Sequence, residues 1–204
     1  MGILDGLRSV LGIGAEADAT RAADADALFG MGTAYLTMDA DLGYRPAESA
    51  ALCFSGVDST DFTAVLDDVR AILDAGAATT GTEFDVQTDE HGWRWVVVHD
   101  EDPEDLLTSI HFAADEFITQ GYGSRLLVAV FGFVSAEDRA YWVYSFRRGG
   151  YYPFLPIAGD ERDVRGEQKL AAVLDGELDI EDDRDYWYPL WPPSPGEHPW
   201  GSGR

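Results

Sequence analysis

Residues 125–154, RLLVAVFGFVSAEDRAYWVYSFRRGGYYPF, decide the fold. Leu126 to Val134 is an almost unbroken apolar run, the pattern of a strand covered on both faces. Ser135-Ala136-Glu137-Asp138 is a polar turn, and Tyr141 to Phe146 returns as a second strand of aromatic and β-branched residues. Together they read as the central antiparallel hairpin. Arg147-Arg148-Gly149-Gly150-Tyr151-Tyr152-Pro153-Phe154 follows, with two cations and a mobile Gly-Gly before two tyrosines. In so acidic a chain this is the most unusual local chemistry.

Working outward towards the N-terminus, Asp102 caps a helix that starts at Pro103 and presents Leu106, Leu107, Ile110, Ala114, Phe117 and Ile118 to a core. Before it, Glu83–Thr88 and Trp93–His99 form a hairpin about Asp89-Glu90-His91-Gly92. Asp58-Ser59-Thr60 caps a helix running to about Ala75 and stopping at Gly76. Ala50–Phe54 is a strand. Asp24–Met31 reads as a brief helix, and Thr33–Leu42 alternates as a period-2 strand, with a helix through Leu28, Tyr35 and Leu42 as the alternative.

Towards the C-terminus, Asp160–Leu174 reads as a charged amphipathic helix. Tyr186-Trp187-Tyr188-Pro189-Leu190-Trp191-Pro192-Pro193 is a rigid aromatic-proline segment, read for Trp187 and Trp191 as a strap over the core, and Ser194–Arg204 as a loose end. The order is hairpin–helix three times over. It predicts an α+β fold, an antiparallel sheet of β-hairpin–helix units with helices packed on it, similar to folds of the secretion-chaperone type. The expected organisation is an amphipathic N-terminal helix and acidic linker at 1–20, a core domain at 21–177 and a strap and tail at 178–204.

In the N-terminal segment Ile3, Leu4, Leu7, Val10 and Leu11 share one helical face. A helix this short is marginal alone, so the face docks on its own domain, on a partner or on a membrane surface.

Composition narrows the function. The 204 residues carry a formal charge of −24, from 38 acidic against 14 basic side chains, and Lys169 is the single lysine. Such self-repulsion is tolerable where salt screens it, the Debye length falling to about 3 Å at molar ionic strength. A cytoplasmic protein of an extreme halophile is expected. No basic stripe exists to neutralise a phosphate backbone, which excludes general nucleic-acid binding. No apolar stretch is long enough to span a membrane, and the N-terminus lacks signal-peptide features.

Catalytic patterns are equally thin. No nucleotide-binding glycine loop, GxSxG or HExxH occurs. Cys53 lies in an apolar strand, as an inert buried thiol would, and His91, His99, His111 and His198 are scattered. No catalytic residue, cofactor or metal is therefore assigned. What remains is Arg125, Arg147, Arg148, Tyr151 and Tyr152. They form either a recognition patch of guanidinium forks and rigid aromatic area, or arginines paired with the chain's own carboxylates beside tyrosines packed at a sheet edge.

Across nearly its full length the chain resembles the PspA-associated protein PspAB family. The segments GILDGLRSVLG, LFGMGTAYLTMDADLGY, ALCFSGVDSTDF, DDVRAILDAG and YWYPLWP carry the likeness, and GYGSRLL and SFRRGGYYPF are its most specific parts. The resemblance implies a cytoplasmic accessory of the phage-shock envelope-stress system. That system centres on PspA, a helical protein that coats stressed membrane, and family members are also associated with the membrane zinc protease HtpX. The expectation is a non-enzymatic adaptor that presents Arg147–Phe154 or the Leu4, Leu7, Leu11 face to a PspA-like or HtpX-like partner, possible membrane contact being peripheral. The alternative is a small-molecule sensor or enzyme with a pocket near Arg125, Arg147 and Tyr151. Replacing Tyr151 and Arg148 with alanine is expected to weaken capture and leave the fold intact.

Overall fold

The computed structural model describes residues 21–89, 91–194 and 196–201. A 3-10 turn at Asp26–Phe29 leads into helix α1 (Gly30–Leu42), followed by β1 (Arg45–Phe54), α2 (Thr60–Thr80), β2 (Glu83–Thr88) and β3 (Arg94–His99). Then come α3 (Pro103–Thr119), β4 (Leu126–Val134), β5 (Arg139–Ser145), β6 (Gly150–Phe154), the short hairpin β7 (Pro156–Ile157) and β8 (Glu161–Arg162), and α4 (Val164–Leu174). Four helices pack on a six-stranded antiparallel sheet of order β2-β3-β1-β4-β5-β6. The fold class is α+β, as the sequence pattern predicts.

The central hairpin stands as read, with Val128 opposite Ser145 and Val134 opposite Arg139. Both faces of β4 are covered. Leu126, Ala129, Phe131 and Phe133 join the core under the helices, whereas Val128 and Val130 join a second cluster on the opposite face. The helix starts also follow the sequence. Ser59 Oγ accepts from the Phe62 N–H at 3.1 Å, and Asp102 Oδ1 from the Glu104 N–H at 2.9 Å.

Three expectations are corrected. Thr33–Leu42 belongs to helix α1, not to a strand, so the first hairpin–helix unit is absent. Even-numbered apolar positions satisfy both periods, and the odd residue decides. Tyr35 is 5% exposed and Leu36 is 72% exposed, the reverse of what a strand requires. Helix α2 continues past Gly76 to Thr80 and stops at Gly81 in the left-handed conformation (φ 87°). A mid-helix glycine costs only about 1 kcal/mol, too little to end a helix with alanines beyond it. Finally, the Gly-Gly is not a mobile link: Gly149 closes a hydrogen-bonded turn and Gly150 opens the outermost strand of the sheet.

The second face of the sheet, built of Cys53, Trp95, Val97, Val130, Tyr141, Val143, Tyr152 and Phe154, is covered by chain without regular structure. At the β6 edge the Tyr151 N–H donates to Asp179 O (2.7 Å) and the Glu181 N–H to Tyr151 O (2.8 Å). The chain then crosses the sheet. Trp187 stacks on Tyr152 with ring centroids 6.5 Å apart, and Trp191 meets Phe154 edge-on at 5.1 Å. It reaches the opposite edge where Gln87 Nε2 donates to Trp200 O at 2.7 Å. Residues 196–201 are therefore no loose end, since Trp200 is 3% exposed.

Candidate functional site

The turn after β5 fixes where the arginines and tyrosines go. The Gly149 N–H donates to Ser145 O at 2.7 Å, and Gly149 takes φ 69°, which a side chain would resist. The chain then enters β6, where successive residues face opposite ways. Tyr151 points under the helices, its hydroxyl donating to Leu28 O at 3.0 Å and its ring 4.9 Å from Tyr144. Tyr152 points to the other face, beneath Trp187. Both are buried, and burial pushes both phenols up from their ordinary value. Neither offers contact area to a partner in this fold.

Arg148 is bound to the chain's own strap. Its Nε and Nη2 donate to the two Glu181 carboxylate oxygens at 2.8 and 3.1 Å, and its guanidinium lies 3.7 Å from the Tyr186 ring centroid. Such a fork leaves no free face for a second anion. Arg125 is half-buried in a 3-10 turn at Gly123–Arg125, its N–H donating to Tyr122 O at 2.8 Å. Arg147 turns into a cleft of about 360 Å³, which it shares with Arg21. The five residues that the sequence groups together thus divide among two sheet faces, a strap, a cleft and a 3-10 turn. Leu4, Leu7 and Leu11 lie outside the described residues.

The histidines have local roles. His111 Nε2 sits 3.0 Å from Asp26 Oδ1. His198 Nδ1 is 3.2 Å from the Tyr141 hydroxyl, and its ring stacks on Trp200 at 4.6 Å. Burial, with smaller contributions from Arg139 and His99, lowers His198 to about 4. Burial also pushes the Cys53 thiol well up, which removes its nucleophilic form. Among the described residues no group of His, Cys, Asp and Glu is arranged to hold a metal ion, and no helix is long and apolar enough to cross a membrane.

Among the described residues large apolar side chains are exposed at Ile157, Val164 and Val173 and, on the helical layer, at three positions that the sequence does not single out. Phe29 and Leu36, seven residues apart at one side of α1, are 48% and 72% exposed. Phe112 on α3 is 47% exposed. The Phe29 ring packs on His111 at 4.3 Å, next to Phe112, and Gly32 of α1 lies beside Leu107 of α3. A helical reading of residues 30–42 supplies the signal for Leu36, because it turns that side chain outward. Phe112 follows from the same wheel on α3, opposite Ile110 and Phe117.

Comparison with known proteins places the chain in one family by a match over residues 1–200, described as PspA associated protein B. None of the curated proteins matches it.

Proposed function

This chain belongs to the PspA associated protein B family, and on that premise we propose that it is a non-enzymatic accessory of a PspA-type envelope-stress response, binding a PspA-like protein through the helical layer. The observation that carries this reading is the exposure of Phe29, Leu36 and Phe112, three large apolar side chains of the helical layer partly left in water on a chain of charge −24. Aromatic and aliphatic anchors of this kind dominate binding energy where a partner desolvates them. A helical partner suits these residues, since an apolar stripe on one helix packs along another. They replace Arg147–Phe154 as the presented surface, because the tyrosines of that segment are interior.

The charge balance supports work in a salt-rich cytoplasm, where steering is screened and apolar contact must supply the affinity. An HtpX-like membrane protease is the second expected partner in the same system, and contact with the membrane would be peripheral.

The test is capture of a purified PspA-like protein by the immobilised full chain at high salt. Leu36→Asp with Phe112→Asp should weaken capture by tenfold or more, on the order of the energy of one or two buried anchors. Capture that persists undiminished in the double variant would move the interface elsewhere. Failure to capture a PspA-like protein at all would remove the reading.

A further inference from the structure

The two ends of the sheet are finished differently. At the β6 end the chain adds backbone of its own: Ile180 bridges Tyr151 in parallel, and the outward N–H and C=O of Tyr151 are both taken. At the β2 end no strand or bridge is added among the described residues. The strap's hydrogen bond to that edge comes from a side chain, Gln87 Nε2 on Trp200 O at 2.7 Å.

The register shows what the β2 edge presents. The Asp89 N–H donates to Trp93 O at 2.9 Å and the Asp100 N–H to Glu48 O at 3.2 Å. Bonded and non-bonded pairs alternate along an antiparallel ladder, so odd residues of β3 bond β2 and even ones bond β1. Phe84, Val86 and Thr88 therefore turn their N–H and C=O groups outward. The Val86 N–H donates to Oδ1 of its neighbour Asp85 at 2.8 Å, so a carboxylate takes the N–H that the carbonyl of an added strand would take. Phe84 and Val86 are half-buried and pack on the core under the helices, and alternation puts Asp85, which is exposed, on the opposite face. Neither proline nor a bulge blunts the edge, since all six residues of β2 pair with β3 in unbroken register.

We propose that β2 accepts an extended segment of another protein as a further strand, one that alternates apolar and basic residues. Backbone pairing with Phe84, Val86 and Thr88 supplies the affinity, and alternate side chains supply the choice. Apolar residues of the segment continue the row of Phe84 and Val86 and complete their burial. Lysines or arginines on the other face meet Asp85, released when the incoming carbonyl takes the Val86 N–H. Charge decides the occupant. A second copy of β2 would bring Asp85 and Glu83 against their own kind, and like charges across a strand pair destabilise it. The surface uses none of Phe29, Leu36 and Phe112, so its failure leaves the reading of the helical layer standing.

The experiment is a titration of the full chain with a short capped peptide alternating valine and lysine, followed by amide chemical shifts and hydrogen exchange. Molar salt screens diffuse attraction to the acidic surface. Saturable shifts are expected along Glu83–Thr88, with slower exchange of the Phe84 and Thr88 N–H groups. A peptide of the same composition with valines and lysines in separate blocks should produce neither effect. Nor should an alternating peptide N-methylated on the amides that face β2. Asp85→Lys, at an exposed position, should raise Kd about three- to tenfold, the effect of turning an attractive cross-strand pair into a repulsive one. The same variant should bind an alternating valine–glutamate peptide instead.

Absence of saturable shifts, shifts centred away from β2, equal binding of either control peptide, or an unchanged Kd in Asp85→Lys would each overturn the proposal. Slow exchange at Phe84 and Thr88 before any peptide is added would do the same. Independent of protein concentration, it would identify the chain's own residues as the occupant; rising with concentration, it would identify a second copy.

Discussion

The two faces of the sheet are equally apolar and are covered in opposite ways. Under α1–α4 lies a core of Leu52, Phe54, Phe62, Phe117, Phe131, Trp142 and Tyr144, sealed by helices whose backbone groups bond within themselves. Across the other face runs an irregular strap whose backbone has few internal partners. It is held by discrete polar anchors: Arg148 to Glu181, Arg162 to Trp187 O, Arg139 to Gly196 O and Gln87 to Trp200 O. A layer of helices leaves the sheet only when the domain unfolds. A strap held at separate points can lift in part, so its local stability should be lower than the global value. The same residue change on the two faces should therefore read out differently.

Tyr151 and Tyr152 are the sharpest pair, adjacent in sequence and facing opposite layers. Tyr151→Ala removes a buried ring from the helical core and leaves Leu28 O without its hydroxyl donor, a loss of about 3–5 kcal/mol in global denaturant unfolding. Tyr152→Ala removes as large a ring, yet part of its cost should appear as faster hydrogen exchange in residues 186–200 before the helices open. Equal global losses with no local opening would show that the strap and the helices are one cooperative unit. The expectation that Tyr151 can be replaced without harm to the fold does not survive its burial.

Next in size is the pair that ties the strap to α4. Glu167 is almost fully buried, its Oε1 accepting from Arg162 Nε (2.8 Å) and from the Leu155 N–H (3.0 Å). Arg162→Gln strands that carboxylate, at a cost of about 3–5 kcal/mol at neutral pH. Burial already raises Glu167 above its ordinary value, so the folded state holds its proton more tightly than the unfolded chain. Stability from this group falls as pH rises through that interval, and the variant's deficit should shrink on acidification. A deficit independent of pH would place the cost in packing instead.

How much of this was legible follows the same division. The unbroken run Leu126–Val134 announces cover on both sides, and the caps at Ser59 and Asp102 announce two helices, because each signal is local. Residues 33–42 mislead because apolar residues at every second position include those four apart, and only the partner surface chooses between Tyr35 and Leu36. The site was least legible. Arg147, Arg148, Tyr151 and Tyr152 are contiguous in the chain, but a strand sends neighbours to opposite faces. Arg21 lies against Gly149, where a Cβ would collide with it, an approach between residues far apart in the chain. Proximity in sequence suggested a patch that geometry divides.

A smaller and more selective effect belongs to His198, which lies where the strap ends. A folded value of about 4, lowered chiefly by burial, means the unfolded chain takes up the proton first, near the ordinary value of 6.5. Stability from this group is present above 6.5 and is lost as pH falls from 6.5 towards 4. The charged ring would face Arg139, stacked on Trp200 and beside Tyr141, so the loss should begin as local lifting of residues 196–201. Tryptophan emission should shift to the red between pH 6.5 and 5, before most carboxylates protonate, while helical circular dichroism holds. In His198→Gln the shift in that window should vanish. If emission and circular dichroism change together in both proteins, the two covers of the sheet are equally durable, and the contrast drawn between them fails at its most sensitive point.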